Sequence, residues 1–203
     1  MSFLKRLFGA KDSDKTVSTD AEISPYMTLR NNLPIDEQFT FNFKKNGGKF
    51  LYCENMEEIY EHFENILVEN DWFESEVLCF NSNLFDMLEH NKLVYTNSTN
   101  PVFVFSNCES LIADEGSILF SSNQVKSYKI NDLPENMVVF AKMSQIKPHK
   151  GDGMSEIKRL YQPNFPTNIT TIRNFDIGTK SNENSLQYSS APKNLYLLLL
   201  EDL

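Results

Sequence analysis

Residues 106–124 read SNCESLIADEGSILFSSNQ, and the fold turns on how this run is parsed. Leu111, Ile112 and Ala113 lead into Asp114, Glu115, Gly116 and Ser117, after which Ile118, Leu119 and Phe120 form an apolar run of strand length. An acidic pair and a glycine directly ahead of a buried strand make a sharp turn with an open backbone. There, carboxylates and bare N–H groups can face one ligand. The same residues suit a helix end with solvated carboxylates, where Gly116 merely permits positive φ, and taken alone they favour that reading.

Working outward, residues 102–105 form a strand just ahead of this run, and residues 76–80 form another, with a helix marked by Leu84, Phe85 and Leu88 that stops by Asn91. Residues 49–53 are a short apolar strand followed by Asn55, whose side chain can cap a helix with Glu58 three residues on. On that helix Met56, Ile59, Tyr60, Phe63, Ile66 and Leu67 share one face, while Glu57, Glu58, Glu61 and Glu64 point elsewhere. The acidic row is either a lure for a basic partner or, more commonly, a solvated face. Strand, helix, strand, helix, strand at this spacing implies right-handed crossovers and a mainly parallel open sheet covered on both faces. The acidic turn then follows a strand end, the region where ligands bind in open α/β sheets, although position on a fold identifies no reaction.

Downstream, residues 117–122 and 137–141 read as strands joined by a polar connection. Lys147, Pro148, Lys150, Gly151 and Gly153 read as a loop before a helix over residues 155–161. Residues 169–172 and 195–200 are expected to complete the sheet, with a long loop over residues 174–193 between them. Upstream, Phe39, Phe41 and Phe43 alternate with polar residues, which by period favours a strand.

A chain of 203 residues suits one domain with a substantial core. A formal charge of −9 with no basic stripe beyond the first residues argues against sequence-independent nucleic-acid binding. Cys53, Cys79 and Cys108 are odd in number, widely spaced and set in apolar stretches, so they read as buried thiols in a reducing compartment rather than disulfides or iron–sulfur ligands. His62, His90 and His149 have no partner at metal-ligand spacing, and neither a metal site nor a cofactor is expected. The run over residues 195–200 is too short to span a membrane. Residues 1–22 read as an amphipathic arm, with Phe3, Leu4, Leu7 and Phe8 on one face, followed by a polar tether; residues 23–203 form the domain. The arm lacks a secretory core, so a cytoplasmic location is expected, and its apolar face leaves homo-oligomerisation open.

Ile112-Ala113-Asp114-Glu115-Gly116-Ser117-Ile118-Leu119 resembles the I-A-D-T-G-[ST] core of the LUD family, of the lactate-utilization protein C type. The segment FKKNGGKFLYCEN at residues 43–55 resembles that family's F-x-x-N-G-G opening, and LPENMVVFAKMSQ at residues 133–145 resembles its L-P-x-strand segment. The resemblance covers most of the chain after about residue 35. It implies a fold similar to that of CoA transferases and phosphosugar isomerases (NagB/RpiA/CoA transferase-like), with a helix over the Phe39–Phe43 region closed by Asn46-Gly47-Gly48.

Two family runs are missing. Thr171-Ile172-Arg173-Asn174-Phe175 stands where G-P-S-x-T-x-D-I-E is expected, and Tyr188-Ser189-Ser190-Ala191-Pro192 where G-x-H-G-P is expected. The glycines and the histidine therefore cannot be carried over. The site residues expected at the mouth are Asp114, Gly116 and Ser117, with Glu115 beside them and Thr170, Thr171, Arg173, Ser189 and Ser190 as lesser candidates. Asp114 matches the family's A-D-x-G; Glu115 does not match. The resemblance implies an accessory protein of lactate or organic-acid utilization that binds a small anionic metabolite or iron–sulfur partner subunits. The alternatives are an acyl or CoA transferase or phosphosugar isomerase using Asp114 or Glu115 as its carboxylate, with Arg173 holding an anion, and a non-catalytic structural or regulatory descendant. Asp114 is equally suited to fixing the turn by accepting backbone N–H bonds.

Overall fold

Five parallel strands in the order β1-β9-β6-β3-β2 form the central sheet: β1 (Lys49–Cys53), β2 (Val77–Leu78), β3 (Phe103–Asn107), β6 (Asn136–Lys142) and β9 (Asn194–Leu200). This is a computed structural model, and it describes residues 33–96, 98–176 and 191–203. The expected arm and tether, and Tyr188, Ser189 and Ser190, lie outside the described residues. Sheet strands buried on both faces read as continuous apolar runs, and β9 (NLYLLLL) is buried from Leu195 to Leu200.

One face of the sheet carries helices α2 (Met56–Asn70) and α3 (Phe85–His90). Asn55 caps α2 as expected, its Oδ1 accepting the Glu58 N–H at 3.0 Å, while the Glu58 carboxylate accepts the Glu54 N–H at 2.8 Å. Ile59, Phe63, Ile66 and Leu67 are buried, and Phe63 stacks on Phe105 of β3 at 4.6 Å between centroids. Trp72, just past the helix, stacks on Phe103 at 4.7 Å.

The opposite face is covered by helix α1 (Ile35–Lys45) and by a second, four-stranded sheet, so the fold is a single α/β domain with helices on both faces. The alternation of Phe39, Phe41 and Phe43 is helical after all. Phe39 and Phe43, four apart, face inward and stack at 5.4 Å, while Phe41 is 55% exposed. Asn46 and Gly47 close α1 as the resemblance implied, with Gly47 at φ +88° and the Gly48 N–H donating to the Phe43 carbonyl at 3.0 Å.

The second sheet has the order β7-β4-β5-β8, from β4 (Ser110–Ile112), β5 (Ser117–Phe120), β7 (Ile146–Lys147) and β8 (Thr170–Ile172). This corrects the expectation that residues 117–122 and 169–172 belong to one large sheet. A parallel return needs a crossover of about a dozen residues, and only two residues separate β3 from β4. The chain therefore leaves the central sheet at Asn107 and makes the antiparallel β4–β5 hairpin over its face. A short helix α4 (Ser122–Val125) follows β5, capped by Ser121. Helix α5 (Lys150–Leu160) covers the hairpin's outer face through Ile112, Leu119 and Ile157. It begins five residues earlier than expected and absorbs both glycines. A side chain at Gly153 would come within 3.1 Å of Ile112 and Leu119, so the glycine lets the helix lie close to the strands.

Candidate functional site

The turn between β4 and β5 is seated on α1. Asn42 donates its side-chain amide to the carbonyls of Ala113 (2.7 Å) and Asp114 (3.2 Å), and Asn46, one helical turn on, donates to those of Glu115 (2.8 Å) and Gly116 (3.1 Å). Two asparagines thus satisfy four consecutive carbonyls that a tight turn leaves unpaired. Gly116 has φ +61°, and a Cβ there would lie 2.3 Å from the Asn42 carbonyl carbon and 2.4 Å from the Phe43 nitrogen. The glycine is required twice, by conformation and by the approach of the helix.

The expected site residues scatter around this turn. Ser117 is buried and donates its hydroxyl to the Glu115 carboxylate at 2.9 Å. Thr170 and Thr171 pair with Phe120 and Leu119, the far end of β5, about 10 Å along the strand from the turn. The Thr171 hydroxyl is enclosed and has no hydrogen-bond partner among the described residues. Arg173 is exposed, and among the described residues no ion pair joins it to Asp114. Asp114 is itself exposed. Its carboxylate meets the ring Nδ1 of His149 at 2.8 Å, and its N–H donates to the Pro148 carbonyl. Its partner is thus a side chain across the sheet, whereas the turn is fixed by the two asparagines and not by this carboxylate. His149 stands at the N-cap of α5, its own N–H donating to the Asp152 carboxylate at 3.1 Å. The hydrogen bond and charge of Asp114 hold the His149 pKa above its usual value.

A buried carboxylate ties the hairpin to its neighbours. Glu109, ahead of β4, accepts hydrogen bonds from the Ser121 hydroxyl (2.5 Å), the Gln124 amide (3.0 Å), the Asn123 amide (3.4 Å) and the Tyr161 phenol (3.1 Å). Burial and then the Glu109 charge push the Tyr161 pKa up. All three cysteines are free and buried, and burial pushes Cys53 up to about 12 and Cys79 up to about 11. Such thiols remain protonated and poorly nucleophilic at neutral pH. Among the described residues no group of three or more His, Cys, Asp and Glu side chains is placed to hold a metal, and no helix is long and apolar enough to cross a membrane.

A cleft of about 220 Å³ opens elsewhere, beyond the carboxyl ends of β2, β3 and β6. Its polar lining is Asn81, Asn83, Asn107, Lys142 and Gln145; its apolar lining is Met56, Tyr60, Leu84, Met87 and Phe140. None of the residues expected from the acidic turn lines it. Asn107 ends β3 and Lys142 ends β6, while Asn81 and Asn83 open the 3-10 turn Ser82–Leu84 ahead of α3. Gln145 is held from both sides, accepting the Lys142 N–H at 2.8 Å and donating to the Cys108 carbonyl at 2.7 Å. Asp202 then clamps the same bend, accepting the N–H (2.9 Å) and hydroxyl (2.7 Å) of Ser144. The side-chain amides of Asn83 and Asn107 and the Lys142 ammonium make no hydrogen bond to other described residues, and Lys142 is the sole charged side chain among those lining the cleft. A signal for this site is present in the sequence: polar residues directly at or after the ends of apolar strands.

No family model matches the chain, and no curated protein matches it. Among solved structures, the fold is similar to that of a DUF162 family protein from Deinococcus radiodurans. The TM-score is 0.58 and the identity 10%, over 85% of this chain and 98% of that one. DUF162 is the LUD domain family, so this chain shares its α/β fold with a member of that family.

Proposed function

We propose that the protein is an accessory component of organic-acid metabolism, of the lactate-utilization kind, that binds a small anionic metabolite in the carboxyl-end cleft without redox chemistry of its own. The observation that carries this reading is the placement of Lys142 and three asparagines around a hollow beyond the parallel strand ends, where open α/β sheets bind ligands. An ammonium flanked by amides suits a carboxylate bearing a neighbouring hydroxyl or oxo group, because amides both donate and accept. The lining offers no activated nucleophile or acid–base pair, so the reading is one of binding rather than turnover.

Titration calorimetry with hydroxy and oxo acids tests it. Binding that falls about tenfold or more in Lys142→Met supports the reading, and heats unchanged by that substitution refute it. Iron–sulfur subunits are the partners that the family resemblance implies. A pull-down from cells growing on lactate should recover them, and recovery of none would remove the lactate-specific part of the proposal.

The enzymatic reading rests on the Asp114–His149 pair, a carboxylate bonded to a proton carrier at the surface. Neither Asp114 nor His149 lines the cleft, so this pair serves a separate surface. Acyl-transfer activity lost in both Asp114→Asn and His149→Gln would favour that reading; activity absent from the unsubstituted protein removes it.

A further inference from the structure

Resting on the reading of the cleft as a ligand site, the composition of its walls narrows the ligand class. We propose that the cleft takes a monocarboxylic 2-hydroxy or 2-oxo acid whose side chain is an aromatic ring, rather than a three-carbon acid, a dicarboxylate or a phosphate ester.

Charge sets the first limit. Lys142 is the sole cation lining the cleft, and one ammonium matches one carboxylate. A phosphate dianion or a second carboxylate would be left facing neutral amides, at the desolvation cost of an unpaired charge. No glycine lines the cleft either, in contrast to the bare-backbone nests that cradle phosphates.

Size sets the second limit. A volume of about 220 Å³ holds about seven waters, about twice what a three-carbon acid displaces. The remaining space is bounded by Met56 and Tyr60 from α2, by Leu84 and Met87 from the α3 side, and by Phe140 from β6. The Met56 and Met87 thioethers are adaptable and make favourable contacts at the edge of an aromatic guest. A lining of one cation, neutral amides and apolar side chains suits a molecule that carries both one charged polar group and one ring-sized apolar group. The Asn83 and Asn107 amides offer donors and acceptors to the 2-hydroxy or 2-oxo oxygen of an acid whose carboxylate is bonded to Lys142.

Titration calorimetry on the full chain, with 3-phenyllactate, phenylpyruvate, lactate, malate and inorganic phosphate as probes, tests the assignment. The aromatic acids are expected to bind about tenfold or more tighter than lactate, since a buried ring contributes well beyond a methyl group. Met56→Ala, at a residue 43% exposed and so tolerant of truncation, is expected to weaken phenyllactate severalfold and lactate by a smaller factor. Lys142→Met weakens both. If lactate, malate or phosphate binds as tightly as phenyllactate, or Met56→Ala changes nothing, the aromatic assignment is overturned while the cleft remains a ligand site. If no acid binds and Lys142→Met has no effect, the reading of the cleft itself falls.

Discussion

Replacing Gly116 with alanine tests whether the β4–β5 turn is held by α1. At φ +61° an L-residue carries a cost of about 1–2 kcal/mol relative to glycine. The new methyl would also lie 2.3 Å from the Asn42 carbonyl carbon and 2.4 Å from the Phe43 nitrogen. These are backbone atoms of a helix whose Phe43 is fully buried, so the helix must move as a body, a form of overpacking worth about 1–3 kcal/mol. The expected loss is about 2–5 kcal/mol, a large part of the stability of a domain this size. In thermal unfolding followed by circular dichroism this corresponds to a fall in Tm of about 4–20 °C. Gly151→Ala is the matched control. It lies in α5 with nothing within 4 Å of its added methyl, and should raise stability by about 0.5–1 kcal/mol. A Gly116→Ala protein within about 0.5 kcal/mol of the unsubstituted chain would refute the seating of the turn on the helix.

Phe43→Ala should cost about 3–5 kcal/mol in urea unfolding, because the ring packs on Phe39 and Phe175, whereas Phe41→Ala should cost about 1 kcal/mol or less; equal costs would contradict the helical reading of the segment. Glu109→Ala removes the acceptor of the Gln124 amide and the Tyr161 phenol and leaves the Ser121 hydroxyl only the Gln124 oxygen, so a loss of about 2–4 kcal/mol is expected by the same measurement, with Glu109→Gln milder. His149 has a raised folded pKa, so its pairing with Asp114 contributes fully below the unfolded value of 6.5 and fades as pH rises through the folded value. A proton NMR titration should place His149 above 6.5 and Asp114→Asn should return it towards 6.5; an unmoved titration would remove the pair.

The fold was legible where local chemistry and burial agree. Asn55 and Glu58 announced α2, and the apolar runs at residues 49–53, 137–141 and 195–200 all became strands of the central sheet. The Phe39–Phe43 segment misleads by period alone, because a spacing of four satisfies both a strand and a helix; only Phe41, turned outward, separates them. The second sheet is legible in connection length rather than in strand pattern, since two residues after β3 cannot return a parallel strand. At the acidic turn, the need for Gly116 comes from a helix some seventy residues upstream and leaves no local trace. The cleft is harder to read in the sequence, because asparagine and glutamine at strand ends look like ordinary loop residues until the strand ends are brought side by side.

The position of β9 has a consequence for how the chain assembles. Its residues fill the slot between β1 and β6, pairing Lys49 with Tyr196 and Asn136 with Asn194. Until residues 194–200 have been synthesised, β1 has no neighbour to bond, and the strands β6, β3 and β2 end in an open edge of buried apolar residues. A chain grown only as far as β6 therefore exposes an adhesive sheet margin, and its closure depends on contacts that span almost the whole domain, which slows folding.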